Sequence, residues 1–293
     1  MVLRGRPRDS SVAGRSQPRQ GGAHEPARER SRQLALAGHR RDAVRLGVRR
    51  LARPHECLGP RRARDGGHVR STAPIVFLVD VDNTLLDNDR IQDDLKRHLE
   101  REFGTASRDR YWAILEALFV ELGYRDYLGA LQRYRVEHPQ DVRLMSMSSY
   151  LVDYPFANRL YPGALDVLQR FRVWGPTVIL SDGDVVFQPR KVERSGISEA
   201  VDGHVLIYIH KEETLDDVAR RYPAQHYVLV DDKPRILAAV KDAWGDRVTT
   251  IFPRQGQYAR DAERYRAADL TVERIGDLVT YDLSELLSLE VLR

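Results

Sequence analysis

The chain has 293 residues and a net charge of +4, and this small value hides two oppositely charged parts. Residues 1–70 hold 18 Arg, no Lys and 6 acidic residues, a net charge of +12, whereas residues 71–293 carry a net charge of −8. The single cysteine, Cys57, excludes an internal disulfide framework, and no apolar run approaches the roughly 20 residues of a membrane-spanning helix. We therefore expect a soluble, cytoplasmic protein without a membrane partner.

Residues 1–72 are predicted to be a disordered, Arg-rich extension. The first 70 residues contain no Phe, Tyr or Trp, so they cannot bury enough apolar surface to offset the entropy of ordering. A basic helix over Ser31–Leu51 is the one element that their pattern allows. Three interpretations stay open: a dispensable extension, which includes translation from a start upstream of the native one; an organelle-targeting peptide; and a segment that binds nucleic acid. We favour the first, because no aromatic residue is present to stack on bases.

From Pro74 onward the pattern predicts strands alternating with helices. Ile75–Val79 is a continuous run of apolar β-formers, typical of a strand buried on both faces of a parallel sheet. Similar runs follow at 177–180, 204–209, 227–230, 248–251 and 269–272, and helical patterns at 164–173, 212–221 and 234–244. This alternation predicts an α/β fold with a Rossmann-like, mainly parallel sheet.

A long helical insertion separates the first two predicted strands. Apolar residues recur at three- and four-residue spacing over Ile91–Phe103, Arg108–Leu122 and Tyr127–Val136. No convincing strand interrupts these patterns, which predict an inserted all-helical subdomain.

Polar residues collect directly after the predicted strands. Asp80 and Asp82 follow the first, Ser181-Asp182-Gly183 the second, Lys211 the third, and Asp231-Asp232 the fourth. In parallel sheets ligands bind beyond the carboxyl ends of the strands. Crowded carboxylates repel one another unless a cation lies among them, and Mg²⁺ with oxygen ligands suits such a site. A carboxylate-bound metal shared with a substrate oxyanion is characteristic of phosphoryl transfer.

The order of these groups resembles the haloacid dehalogenase (HAD) superfamily. Asp80-Val81-Asp82-Asn83-Thr84 is similar to its first motif, Ser181 to its second, Lys211 to its third, and Asp231-Asp232 to its fourth. The resemblance implies a HAD-like core over residues 73–88 and 160–293. It also implies a helical C1-type cap over residues 89–159, which closes over the site.

The same resemblance implies a role for each motif residue. Asp80 would attack phosphorus to give an aspartyl-phosphate, and Asp82 would act as acid and then as base, with Thr84 orienting it. Ser181, the N–H groups of Asp182 and Gly183, and Lys211 would hold the phosphoryl group. The expected ligands of Mg²⁺ are Asp80, Asp82 through its carbonyl oxygen, Asp231 and Asp232.

The carboxylate of Asp82 favours a phosphatase, because the resemblance implies that dehalogenase members lack an acid at this position. We therefore expect a Mg²⁺-dependent phosphohydrolase that acts on a small phosphorylated metabolite. Two alternatives stay open, a phosphotransferase or mutase and an inactive HAD-fold binding protein whose basic tail contacts nucleic acid. Lys191, in the helical pattern Gln188–Ser195, is an alternative third-motif lysine, although a solvated helix face also explains it. Six cap-entrance candidates are Asn88, Arg90, Tyr124, Arg125, Tyr150 and Arg159.

Overall fold

The computed structural model describes residues 72–288, except for the side chains of residues 261, 262 and 288. The predictions for residues 1–71, including the helix over Ser31–Leu51, lie outside the described residues.

One parallel sheet organises the described part of the chain. Its strands in chain order are β1 Ala73–Val79, β2 Thr177–Asp182, β3 Val205–Tyr208, β4 Ala224–Val230, β5 Val248–Pro253 and β6 Leu270–Val272. The spatial order is β3-β2-β1-β4-β5-β6, and every pairing is parallel. The prediction of an α/β fold with a mainly parallel sheet is confirmed.

Helices cover the sheet and fill the long insertion. They are α1 Asn88–Phe103, α2 Thr105–Leu122, α3 Tyr127–Glu137, α4 Leu144–Asp153, α5 Ala164–Trp174, α6 Phe187–Arg194, α7 Ile197–Ala200, α8 Leu215–Arg221, α9 Pro234–Trp244 and α10 Leu283–Ser288. Short 3₁₀ helices lie at Phe156–Arg159, Lys211–Glu213, Gly245–Arg247, Gln257–Arg264 and Ile275–Thr280. Among residues 72–288 no helix is both long enough and apolar enough to cross a bilayer.

The central strand β1 is buried on both faces, as its unbroken apolar sequence predicts. Phe77 points to the layer that contains α5 and stacks on Phe171 with ring centroids 4.3 Å apart. Leu78 points to the opposite layer and packs in the cluster that contains Leu237 of α9. Burying one such side chain stabilises the fold by roughly 1.5–3 kcal/mol.

Helices α1 to α4 share an apolar cluster separate from the two that flank the sheet. The predicted stripe lies in it, because Tyr111, Ile114, Leu115 and Leu118 are all buried. The Tyr111 hydroxyl donates to the carbonyl oxygen of Tyr127 at 2.8 Å and so joins α2 to α3. The division into a core of residues 73–88 and 160–293 and a cap of residues 89–159 stays a prediction.

Candidate active site

The topology brings three of the predicted loops together. Strand β1 pairs with β2 on one side and with β4 on the other, so the chain leaves these three neighbouring strands at the same edge. The N–H of Asp80 donates to the carbonyl oxygen of Val230 at 2.9 Å, which extends the β1–β4 pairing to the first loop residue.

Asp80, Lys211 and Asp231 meet at this edge. Lys211 Nζ donates to Asp80 Oδ1 at 2.5 Å and to the carbonyl oxygen of Leu180 at 3.1 Å, and it lies 2.6 Å from Asp231 Oδ2. All three charged side chains are buried. Burial disfavours the ammonium, but the attraction of Asp231 and Asp80 prevails and raises the pKa of Lys211. Lys211 is therefore a fixed positive charge in contact with the predicted nucleophile.

Thr84 has different partners from those predicted for it. Its Oγ1 donates to Asp80 Oδ2 at 3.3 Å and accepts from the N–H of Asp232 at 3.0 Å. The hydroxyl thus links the loop after β1 to the loop after β4. The prediction that Thr84 orients Asp82 is wrong, since the carboxylate that it contacts is that of Asp80.

Asp232 is the member of the acid pair with free oxygens. Within the described residues, neither of its two buried carboxylate oxygens has a hydrogen-bond partner. In contrast, Asp231 accepts from the N–H of Lys233 at 2.8 Å and pairs with Lys211. Burial, reinforced by the charge of Asp80, raises the pKa of Asp232 well above its ordinary value. Buried charges without a partner are costly, so this carboxylate fits a bound cation.

The acids at this edge are close enough to share one ion. Asp80, Asp231 and Asp232 each offer a ligand oxygen, and these oxygens lie within 4.8 Å of one another. Oxygen donors of this kind suit a hard divalent cation such as Mg²⁺.

Asp82 is held by a second lysine. Lys191 Nζ donates to Asp82 Oδ1 at 2.6 Å and to Asn88 Oδ1 at 3.1 Å. Gln188 Nε2 lies 3.5 Å from the other oxygen of Asp82. Lys191 is 1% exposed, so the interpretation of a solvated helix face is wrong. The structure places both candidate lysines in the site, Lys211 at Asp80 and Lys191 at Asp82.

The predicted phosphoryl-binding loop is only partly free. Ser181 Oγ accepts from Gln188 Nε2 at 3.0 Å. The N–H of Gly183 donates to the carbonyl oxygen of Tyr208 at 2.9 Å, because it continues the β2–β3 pairing. The prediction that this N–H binds the phosphoryl group is therefore wrong for the described structure. The corresponding roles of Ser181 and of the Asp182 N–H stay predictions.

A buried glutamine fixes the loop that follows β1. Gln255 Nε2 donates to the carbonyl oxygens of Asn83 and Thr84 at 3.1 and 3.0 Å, and its Oε1 accepts from the N–H of Ile275 at 2.7 Å. Asn83 has a φ of +59°, in the left-handed region that asparagine tolerates better than most residues. Gln255 thus connects the loop of Asp80 and Asp82 to the segment Ile275–Thr280.

A cavity of about 350 Å³ opens beside these groups. Asp82, Asp182, Lys191, Lys233 and Tyr258 are among the residues that line it. Burial raises the pKa of Asp182, against the attraction of Lys211. The carboxylate of Asp82, the predicted acid and base, therefore borders a space large enough for a small molecule.

Half of the six cap-entrance candidates line the cavity. Asn88, Tyr124 and Arg125 do so. Arg159 instead forms an ion pair with Asp94. Among the described residues, Arg90 and Tyr150 do not line the cavity.

The turn between α2 and α3 lies against the loop that precedes Lys211. Gly123 has a φ of +82°, and a Cβ atom built there would overlap the ring of His210. Since His210 also lines the cavity, this close approach brings the helical insertion to the rim of the site.

Three polar residues of the site escaped prediction from sequence, namely Gln188, Lys233 and Gln255. Lys233 had the best available signal, because it directly follows the Asp231-Asp232 pair. Gln188 and Gln255 sit among ordinary polar residues, and only the folded chain shows that their amides are buried.

Comparisons with known proteins agree with this geometry. The sequence profile described as a haloacid dehalogenase-like hydrolase matches residues 76–268. The chain is similar to a crystal structure from Burkholderia xenovorans LB400 assigned as a haloacid dehalogenase-like hydrolase, with 63% identity and a TM-score of 0.69 over 72% of this chain and 99% of that one. A haloacid dehalogenase-like family hydrolase from Xanthomonas campestris shares the fold, with 15% identity and a TM-score of 0.53 over 76% and 94% of the two chains.

An L-2-haloacid dehalogenase from Xanthobacter autotrophicus is similar at 17% identity and a TM-score of 0.47, over 70% of this chain and 96% of that one, too distant to inform activity. The curated proteins give no match.

The fold and the site define a hydrolase with a parallel α/β core. The chain belongs to the haloacid dehalogenase-like hydrolase family.

Proposed function

We propose that the protein is a Mg²⁺-dependent phosphohydrolase that acts on a small phosphorylated metabolite through an aspartyl-phosphate on Asp80. The observation that carries this proposal is the second carboxylate, Asp82, which lines the cavity and is held there by Lys191. Ester cleavage requires a proton for the departing oxygen, whereas a departing halide requires none. An acid at this place therefore favours phosphate esters over haloacids.

The donor set supports a metal at the edge of the sheet. Asp80 and Asp232, with the carbonyl oxygen of Asp82 and with help from Asp231, would hold it. Asp231 also contacts Lys211 and the Lys233 N–H. When bound, Mg²⁺ would offset the carboxylate charge and polarise the phosphoryl oxygens. The two partnerless oxygens of Asp232 are the structural reason to expect it.

The chain's own groups account for two chemical steps. A carboxylate oxygen of Asp80 attacks phosphorus, the bond from phosphorus to the ester oxygen breaks, and Asp82 gives its proton to that oxygen. Asp82 then removes a proton from water, the water oxygen attacks phosphorus, and the bond to Asp80 breaks to release phosphate. Contacts from Thr84 and Lys211 orient Asp80 for the attack, and the ammonium of Lys211 places a positive charge next to its carboxylate.

The test is hydrolysis of a panel of small phosphate esters with and without Mg²⁺, by the full chain and by its Asp80→Asn variant. We expect turnover that requires the metal and disappears in the variant. A matched variant, Asp216→Asn, changes an exposed acid of α8 and should keep full activity.

Product analysis separates the alternatives. Transfer of the phosphoryl group to an added alcohol or sugar instead of water would indicate a phosphotransferase or mutase. No turnover of any ester by folded, metal-binding protein would contradict the proposal and favour the inactive binding protein.

The cytoplasmic location remains part of the proposal, and it rests on the lack of a disulfide framework in the sequence.

A further inference from the structure

The positive charges around the cavity differ in how many of their hydrogen bonds are already used. This inference rests on the phosphohydrolase function proposed above, and it concerns which cation receives the substrate's phosphoryl group. A phosphoryl group carries strong acceptor oxygens, so the cation that binds it needs free N–H donors.

Lys211 is already engaged by oxygens of the protein. Its Nζ donates to Asp80 Oδ1 and to the Leu180 carbonyl oxygen, and it forms an ion pair with Asp231, whose Oδ2 lies 2.6 Å away. Because Lys211 is fully buried, a substrate oxygen would have to compete with these contacts.

The other cations of the cavity wall are also engaged. Lys191 pairs with Asp82, Arg125 with Glu116 at 2.5 Å, and Arg235 with Glu212 at 2.5 Å. Each of these charges is already offset by a carboxylate of the protein.

Lys233 differs from all of them. Within the described part of the chain its ammonium has no hydrogen bond or ion pair, and its Nζ lies 6.0 Å from the centroid of the Tyr258 ring. Its side chain lines the cavity together with Asp82 and Asp182.

The backbone around Lys233 fixes its position independently of the side chain. The Lys233 N–H donates to Asp231 at 2.8 Å, and Pro234 starts α9 directly after it. The backbone of Lys233 is therefore held by Asp231 and by the start of α9, while its side chain lines the cavity.

We propose that Lys233 binds the phosphoryl group of the substrate. Its free donors contact phosphoryl oxygens next to Asp80, while Lys211 acts as a positioning residue for the nucleophile. The site thus divides two tasks between two lysines, one for the protein's own carboxylates and one for the substrate.

The experiment measures binding of inorganic phosphate by calorimetry in the presence of Mg²⁺, together with the kinetics of several phosphate monoesters. It uses the full chain, Lys233→Met, Lys233→Arg, and Lys96→Met as a control whose lysine packs over Trp112 away from the cavity. Since a hydrogen bond to a charged group contributes strongly to binding, we expect roughly tenfold or greater weakening of phosphate binding in Lys233→Met. Lys233→Arg should retain part of the affinity, and Lys96→Met all of it.

Thermal unfolding of each variant checks that the fold is intact. The Lys233→Arg variant keeps a positive charge at this position, so it separates loss of the charge from a structural effect of replacing the lysine. Unchanged phosphate affinity in folded Lys233→Met would overturn the inference. A loss restricted to substrates with a second anionic group, with phosphate binding intact, would also overturn it and assign Lys233 to that second group.

Failure of the proposed function gives a different result. In that case the unaltered protein neither binds phosphate nor hydrolyses any ester, whatever residue stands at position 233, and both proposals are overturned together.

Discussion

At the scale of single residues, Asp80 and Asp82 differ in their surroundings although they are two positions apart. Asp80 is almost fully buried and contacts Lys211 and Thr84. Asp82 keeps 24% of its side chain exposed and borders the cavity. A buried, oriented carboxylate suits nucleophilic attack, and a cavity-facing one suits proton exchange with substrate and water.

This difference predicts how Asp82→Asn affects different substrates. Loss of a general acid costs roughly 10²–10⁴ in rate where the leaving oxygen needs a proton. We expect a loss of that order for an alkyl phosphate and a much smaller one for p-nitrophenyl phosphate, whose leaving group departs as an anion. Single-turnover release of the alcohol or phenol measures the first step alone.

Equal losses for both substrates in the single-turnover experiment would mean that Asp82 does not protonate the leaving group. Asp216→Asn again serves as the matched control, because it removes an acid from an exposed face of α8.

The meeting of these candidate residues at one edge of the sheet was predictable, but their contacts were not. Asp80, Lys211 and Asp231-Asp232 follow strands whose apolar runs are evident in the sequence, Ser181 lies at the end of such a run, and parallel strands bring their ends to one edge. Contacts depend on side-chain direction. The sequence therefore did not reveal that Thr84 turns to Asp80, or that the N–H of Gly183 is used by the sheet.

At the scale of elements, the turn between α2 and α3 is fitted to His210. We expect Gly123→Ala to destabilise the protein by more than about 1 kcal/mol, because an L-residue is strained at positive φ and the added methyl overlaps the His210 ring. Urea unfolding of Gly123→Ala, His210→Ala and the double variant separates the two causes.

In this double-mutant cycle, His210→Ala should remove only the part of the destabilisation by Gly123→Ala that comes from overlap with the His210 ring. Full additivity of the two substitutions would show that the turn does not press on His210.

Asp94 of α1 connects three segments of the helical insertion. Arg159 Nε donates to Asp94 Oδ2 at 2.9 Å, and the Tyr154 hydroxyl donates to the same oxygen. Burial acts to raise the pKa of Asp94, but these hydrogen bonds outweigh it and hold the pKa below its ordinary value. A lowered pKa in the folded state stabilises the fold above the unfolded pKa of about 3.9.

We therefore expect Asp94→Asn to lower the free energy of unfolding by about 1.5 kcal/mol at pH 7. The difference from the unaltered protein should shrink as the pH falls below about 3.9 and through the lowered pKa of folded Asp94. Urea unfolding across pH 7 to 3 measures it, with the exposed Asp93→Asn as control. A difference that does not change with pH would contradict the assigned role of the charge.

Elements with strong periodicity were predicted within a few residues, and weakly patterned ones were not. Helix α4, Leu144–Asp153, was missed as a separate element, and only two of its residues, Met147 and Leu151, are buried. Met147 and Leu151 are buried in the apolar cluster that also contains residues of α1 to α3. The start of the helical pattern at Glu212 proved to be a 3₁₀ turn followed by α8 at Leu215, since tertiary contacts hold Lys211 at the site.

At the scale of the whole molecule, the family match begins at residue 76 and the predicted catalytic residues all follow it. We expect deletion of residues 1–70 to leave kcat and KM unchanged. Binding to polyanions should fall, because the deletion removes a net charge of +12. Kinetics of both forms on one ester, and their retention on heparin at several salt concentrations, test this. A large loss of activity in the shortened, folded protein would contradict it.

The bridge made by Gln255 has a consequence for hydrogen exchange. The amide N–H of Ile275 donates to the Gln255 side chain, which also donates to the carbonyl oxygens of Asn83 and Thr84. Opening of the Ile275–Thr280 segment would break the hydrogen bond to Gln255. We therefore expect this segment and the loop that carries Asp80 and Asp82, about 190 residues away in sequence, to exchange as one cooperative unit. In Gln255→Leu, deuterium uptake should rise in both segments together.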